Sequence, residues 1–204
     1  MIVAVILSAG LSTRMGGQPK GLLRFDARDT FVSRIIRTFN EAGILDVIVV
    51  AGYEAEHVMA AVTTSGLSAQ CVVNEAYASG QFSSLLAGLN AADAADTEAV
   101  LLALVDAPLF AASTVRAVVD RFHATHAPVV RAVRGNDHGH PVLLARPLFE
   151  VIRAADPSQG AKPVVRAHAS ALGDVPVDDD GAFIDIDTPD DYARLALVLG
   201  SEPA

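Results

Sequence analysis

Two cations, Arg14 and Lys20, follow an apolar run, Ile2 to Leu7, that stops abruptly at Ser8-Ala9-Gly10. The run does not alternate and is rich in β-branched residues, the pattern of a strand buried on both faces of a parallel α/β sheet. Such sheets bind ligands beyond the carboxyl ends of their strands. Small residues at that edge let backbone N–H groups approach an anion, and two cations in one loop suit a polyphosphate. A glycine after a first strand is common in any α/β protein, so the cations carry the argument more than the glycine does.

Two further strand ends carry polar residues, Asn74 and Asp106. Asp106 directly follows Glu98 to Val105, the most hydrophobic strand of the chain, where an ionised carboxylate needs a partner. A hard cation such as Mg²⁺ meets that need, since it takes one or two carboxylates together with phosphate oxygens. A helix cap or a local salt bridge would meet it equally well. For a second carboxylate, only one of Asp185 and Asp187 is expected to face the site, and Asp187, nearer the strand end, is the choice. Asp178, Asp179 and Asp180 read as a solvated turn.

Other chemistries fit less well. Gly10, Gly16 and Gly17 match neither the phosphate loop ending in Gly-Lys-Ser/Thr nor the dinucleotide fingerprint. His138 and His140 lie near Asp137 in a glycine-containing hairpin, with no cysteine or third histidine to complete a transition-metal set. No Gly-x-Ser-x-Gly elbow follows a strand, which argues against a serine hydrolase. Cys71, inside an apolar strand, reads as a core thiol rather than a nucleophile.

The elements that must position these residues follow from the pattern. Helices are expected from Phe31, capped by Thr30 and ended by Gly43, then over Glu54 to Val62, Ser83 to Ala92 and Ser113 to Thr125. Between them lie strands at Leu45 to Ala51, Ala69 to Val73 and Glu98 to Val105. This alternation predicts a mostly parallel sheet with right-handed crossovers. The second half is less regular. Strands at Pro128 to Val133 and Pro141 to Leu144 flank a Gly135-Asn136-Asp137 turn and form a hairpin-like insertion. Helices are expected over Ala145 to Ala155 and over Gly160 to Ala169, the latter interrupted by Pro163. A strand over Ile184 to Ile186 precedes a final helix opened by Pro189.

The 204 residues are read as one domain, 1–204, large enough to bury a core. A hydrophobic fraction of 51% and mean hydropathy of +0.38 are high, yet no apolar run reaches the ~18 residues of a membrane span. The single cysteine excludes an internal disulfide, and the apolar start lacks a basic leader, so a cytoplasmic protein is expected. The net charge of −9 argues against a nucleic-acid partner. Any polyphosphate site must therefore be locally basic or metal-assisted, and Arg14, Lys20, Arg24 and Arg28 supply a local basic cluster.

With these residues in view, LSAGLSTRMGGQPKGLL over Leu7 to Leu23 resembles the signature loop of nucleotidyltransferases with a glycosyltransferase-A-like α/β fold. Within them it most resembles the MobA-like group, which attaches nucleotides to molybdenum cofactor. Asn74 with GQFSSLLAGL, Val105-Asp106-Ala107-Pro108, Gly139-His140-Pro141-Val142 and DIDTPDD from Asp185 resemble, in order, segments of its cytidylyltransferase branch. The resemblance extends over nearly the whole chain.

It implies a three-layer Rossmann-like sheet with helices on both faces, and a nucleoside triphosphate site. Leu7, Ser8, Ala9 and Gly10 would line base and phosphates, and Arg14 and Lys20 would bind the triphosphate and act in catalysis. Asn74, Ser83 and Ser84 would contact base or ribose. Asp106 and Asp187 would hold Mg²⁺, and His140 and Pro141 would shape the acceptor side. The implied reaction passes CMP from CTP to the terminal phosphate of a molybdopterin-type acceptor, and a molybdoenzyme or chaperone is the implied protein partner. Guanylyl transfer to that cofactor, nucleotidyl transfer to a sugar or alcohol phosphate, and a non-catalytic cofactor-binding homologue are the alternatives. Ala9 before Gly10 favours CTP, whereas Met15-Gly16-Gly17 and Lys20-Gly21 lean towards GTP. The chain departs from the branch at Ser8 (usually Ala), at Ala107 (commonly Gln) and at Lys162 (usually Arg).

Overall fold

The computed structural model describes residues 1–199. Its centre is a seven-stranded sheet of β1 (Ile2–Ser8), β2 (Val47–Ala51), β3 (Gln70–Val73), β4 (Ala99–Leu104), β5 (Val129–Arg134), β6 (Asp137–Ala145) and β7 (Asp174–Pro176). The spatial order is β3-β2-β1-β4-β6-β5-β7. Parallel pairings join β3, β2, β1 and β4, as the alternating pattern predicts. The expected hairpin of β5 and β6 is present and is built into the sheet. β6 pairs antiparallel with both β4 and β5, and β7 pairs parallel with β5, so the hairpin continues the main sheet and only β6 runs in reverse.

The helices are α1 (Phe31–Glu41), α2 (Ala55–Thr64), α3 (Gln81–Ala92), α4 (Ala112–Thr125), α5 (Leu148–Arg153), α6 (Lys162–His168) and α7 (Pro189–Leu199). Alternate residues of β1 feed two cores, because successive strand side chains point to opposite faces. Ala4 and Ile6 meet Phe31, Ile35 and Phe39 of α1, Val115 and Phe122 of α4, and Leu195 of α7. Val3, Val5 and Leu7 meet Phe82, Leu85 and Leu89 of α3 and Phe149 and Ile152 of α5. The result is a three-layer α/β architecture. Gly88 permits the close seating of α3, since a Cβ there would lie 2.4 Å from Val5 Cγ1.

Local signals hold at α1, where Thr30 and Ser33 form a reciprocal capping box. Elsewhere the second half differs from expectation. Ala145 ends β6, so the following helix is only Leu148–Arg153. Pro163 sits in the first turn of α6, where a missing N–H interrupts nothing. Ile184 to Ile186 is not a strand: Ile184 is 41% exposed, and the segment is tied to the sheet by Ile186 N–H donating to the Asp106 carbonyl at 2.7 Å. The acids at Asp178 to Asp180 are not simply a solvated turn either. Asp179 accepts from the Ala111 N–H at 2.8 Å and from the Thr114 hydroxyl at the start of α4, and Asp180 pairs with Arg134. No helix among the described residues is long and apolar enough to cross a membrane.

Candidate active site

The chain reverses its direction of travel across the sheet between β1 and β4. β1, β2 and β3 step one way and β4 returns to the other side of β1, so the loops after β1 and β4 diverge and leave a crevice. A cleft of about 370 Å³ opens there, walled by Leu7, Ser8, Ala9 and Gly10 on the β1 side and by Val105 and Asp106 on the β4 side. Arg14, Lys20, Ser84 and Asp187 also line it.

The loop after β1 is held by its own backbone. Ser12 adopts φ 50°, a short turn spans Thr13–Met15, and Gly16 and Gly17 follow at φ 66° and 83°. The Ser12 hydroxyl accepts from the Lys20 N–H at 3.1 Å, closing the loop so that Lys20 returns to the cleft. Gly21 then passes so near the strand end that a Cβ would lie 2.5 Å from Ser8 Oγ. Ser8 itself is buried, and its hydroxyl has no partner among the described residues.

Lys20 forms the electrostatic centre. Its Nζ donates to Asp106 Oδ2 at 3.0 Å and to Asp187 Oδ1 at 2.6 Å. Arg14 Nη1 donates to the other oxygen of Asp187 at 3.1 Å. Burial works to lower the Lys20 pKa, but the bonds to Asp187 and the charge of Asp106 outweigh it and hold the ammonium above its ordinary value. In turn the Lys20 hydrogen bond pulls the Asp187 carboxyl below its ordinary value. Asp106 keeps Oδ1 buried without a partner among the described residues.

Asp187 is delivered by the start of α7. Thr188 caps that helix, accepting from the Asp191 N–H at 3.2 Å, while Asp191 Oδ2 accepts from the Thr188 N–H at 3.0 Å and its hydroxyl at 2.7 Å. Of the two acids Asp185 and Asp187, Asp187 lines the cleft and Asp185 does not. Asp185 is exposed as a residue, yet partial desolvation of its carboxyl raises its pKa, opposed by His140 and reinforced by Asp106 and Asp187. Burial likewise lowers the His140 pKa, which favours the neutral ring, and Asp185 and Asp106 oppose that shift.

The remaining sequence-selected residues surround the cleft without lining it. Asn74 is buried and spends its side chain internally, donating to Ser83 Oγ at 2.8 Å and Ser84 Oγ at 3.0 Å and accepting from the Ala76 N–H at 3.0 Å. Its position is that of a strut behind α3. His140 and Pro141 lie in β6, past the β4 edge, and Arg24 and Arg28 lie away from the cleft wall. Cys71 is half-buried with a thiol pKa raised by burial, as an unreactive thiol requires. Tyr77 and Gln81 also line the cleft, although neither was among the residues selected from the sequence. Gln81 was legible only as part of GQFSSLLAGL, and Tyr77 carries no local signal.

Comparison with known proteins agrees with this fold. Nicotine blue oxidoreductase of Paenarthrobacter nicotinovorans is 29% identical over 204 residues, covering 95% of this chain and 96% of that protein. The crystal structure of Rv0371c from Mycobacterium tuberculosis H37Rv superposes with a TM-score of 0.77 at 30% identity, covering 98% and 97% of the two chains. A manganese complex of that protein also superposes, with a TM-score of 0.73 at 28% identity and 98% coverage of each chain. At the level of fold alone, the molybdopterin-guanine dinucleotide biosynthesis protein A of Archaeoglobus fulgidus matches at 14% identity with a TM-score of 0.68, covering 98% and 99%. The MobA-like NTP transferase domain matches residues 4–172, and this chain therefore belongs to that family.

Proposed function

We propose that the protein is a divalent-metal-dependent nucleotidyltransferase that passes CMP from CTP to the terminal phosphate of a molybdopterin-type acceptor, releasing pyrophosphate. The observation that carries this reading is the pairing of Lys20 and Arg14 with Asp106 and Asp187 across a switch-point cleft in a member of the NTP transferase family.

The acceptor phosphate oxygen forms a bond to the α-phosphorus, and the bond from that phosphorus to the β-phosphate oxygen breaks. A phosphate monoester is already nucleophilic at neutral pH, so no general base is required. Catalysis then rests on alignment and charge. Main-chain groups of Ser8 to Gly10 cradle the nucleotide, Arg14 grips the departing phosphates, and Lys20 stabilises charge growing on the attacked phosphoryl group. Asn74 holds Ser84 at the nucleotide wall, and His140 and Pro141 shape the acceptor side. The residues fit a hard cation: Asp106 and Asp187 offer only oxygen, and the buried Asp106 Oδ1 lacks a partner among the described residues. Mg²⁺ bound by these carboxylates would supply charge neutralisation for the phosphates.

The test is a screen of α-labelled nucleoside triphosphates with Mg²⁺ against molybdopterin and sugar-phosphate acceptors. Label transfer from CTP to the pterin, matched by pyrophosphate, is the expected result. Transfer from GTP, or to a sugar phosphate, would reassign the substrate, and no pyrophosphate with any pair would overturn the reading. A second reading, an oxidoreductase using the same cleft for a nucleotide electron carrier, is favoured by the full-length relative named nicotine blue oxidoreductase. Oxidation of a reduced nicotinamide nucleotide without pyrophosphate release would select it.

A further inference from the structure

The space between Asp106 and Asp187 is held by the protein's own cations. Lys20 Nζ engages one oxygen of each carboxylate, at 3.0 and 2.6 Å, and Arg14 takes the second oxygen of Asp187 at 3.1 Å. Of the four carboxylate oxygens, only Asp106 Oδ1 has no partner among the described residues. Lys20 and Arg14 offset the charges of these two carboxylates, so a bare divalent ion meets oxygens of which three of four are already bonded. To enter, it would have to push a half-buried ammonium away from its counter-ions with nothing to receive it, an arrangement that electrostatics opposes.

A triphosphate changes the balance. It brings several negative charges and many acceptor oxygens, a better partner for Lys20 and Arg14 than two carboxylates. When those cations move to phosphate, the carboxylates are left in need of a new counter-ion. We propose that Lys20 and Arg14 act as built-in counter-ions that keep free divalent metal off Asp106 and Asp187, and that metal and triphosphate enter together by exchange of partners. The proposal rests on the nucleotidyltransferase reading and adds a binding order to it. The exchange needs only side-chain rotation, because the Lys20 backbone stays anchored by its N–H bond to Ser12 Oγ and by Leu23 N–H donating to its carbonyl at 3.1 Å. Linkage makes the effect reciprocal: each ligand raises the affinity of the other by the same factor.

The experiment is a Mn²⁺ titration of the nucleotide-free full chain, followed by the electron paramagnetic resonance signal of the free aquo ion. Wild-type protein is expected to bind Mn²⁺ weakly, and Lys20→Met to bind it about tenfold more tightly. Arg14→Gln, at a side chain 70% exposed, should leave the fold intact. It is expected to bind Mn²⁺ about threefold more tightly, as suits an exposed pair, and it decides the matter if Lys20→Met does not fold. Tight Mn²⁺ uptake by the wild type without nucleotide, or no tightening in a folded variant, would overturn the exchange. In parallel, equilibrium dialysis of each nucleoside triphosphate against wild-type protein, in chelator and in saturating Mn²⁺, is expected to show about tenfold tighter binding with metal. If no triphosphate binds under either condition, the nucleotidyltransferase reading falls and the exchange with it. If nucleotidyl transfer proceeds but the wild type takes up Mn²⁺ tightly on its own, the exchange alone falls.

Discussion

At the scale of single residues, Lys20 is the group on which both binding and reaction converge. Its side chain is 12% exposed and spans two carboxylates. In the proposed reaction its charge matters most when the phosphoryl group is under attack. Lys20→Ala is therefore expected to lower kcat by about two to three orders of magnitude while the circular dichroism spectrum stays native. A rise in KM with unchanged kcat would instead assign Lys20 to ground-state binding. The type and loop placement of Lys20 were legible in the sequence, since cations beside a glycine-containing strand end have few other uses. Its partners were legible only as candidates. Of Asp185 and Asp187, it is Asp187 that lines the cleft and bonds Lys20.

At the scale of elements, helix starts do the positioning. Thr188 caps α7 and is adjacent to Asp187, so Thr188→Ala removes a cap and loosens a cleft residue together. A stability loss of about 1 kcal/mol is expected, read as a Tm drop of about 2–4 °C, accompanied by reduced turnover. Thr30→Ala, at the cap of α1, should lower Tm similarly and leave turnover closer to wild type. The α3 face gives a separate prediction. Gly88→Ala gains about 1 kcal/mol of helix propensity, but its Cβ would meet the buried Val5 Cγ1 at 2.4 Å, and overpacking costs about 1–3 kcal/mol. Net destabilisation in a urea titration is the expected outcome, and a stabilised variant would mean that α3 shifts freely on the sheet. Such close approaches leave no trace in periodicity, which reports that a face is buried but not how near its neighbour lies.

At the scale of the molecule, one buried ion pair secures the segment between the β1 loop and α1. Arg37 donates to both oxygens of Asp29, at 2.7 and 2.9 Å, and Ser33 Oγ donates to Oδ1 at 3.0 Å. The Arg37 bond holds the Asp29 carboxyl below its ordinary value of 3.8. A carboxylate lowered in the folded state stabilises the fold above that ordinary value and loses the contribution as pH falls through the lowered one. Stability is thus expected to drop below about pH 4, with Asp29→Asn costing about 3 kcal/mol at neutral pH and flattening the acid limb. Urea midpoints measured from pH 7 down to pH 3 check both effects.

The sequence by itself determined the buried strands, the parallel first half, the cation loop and the acid that follows β4, because each reflects local burial or turn chemistry. Only the tertiary structure decided which distant acids meet Lys20, since Asp106 and Asp187 lie 86 and 167 positions away. It also decided that β6 enters the main sheet in reverse, that Ile184 to Ile186 joins by a hydrogen bond rather than a ladder, and that Asn74 stands behind the cleft. These outcomes depend on which elements become neighbours after the chain crosses over. A pattern of apolar residues records that a side chain is buried, but not what it is buried against.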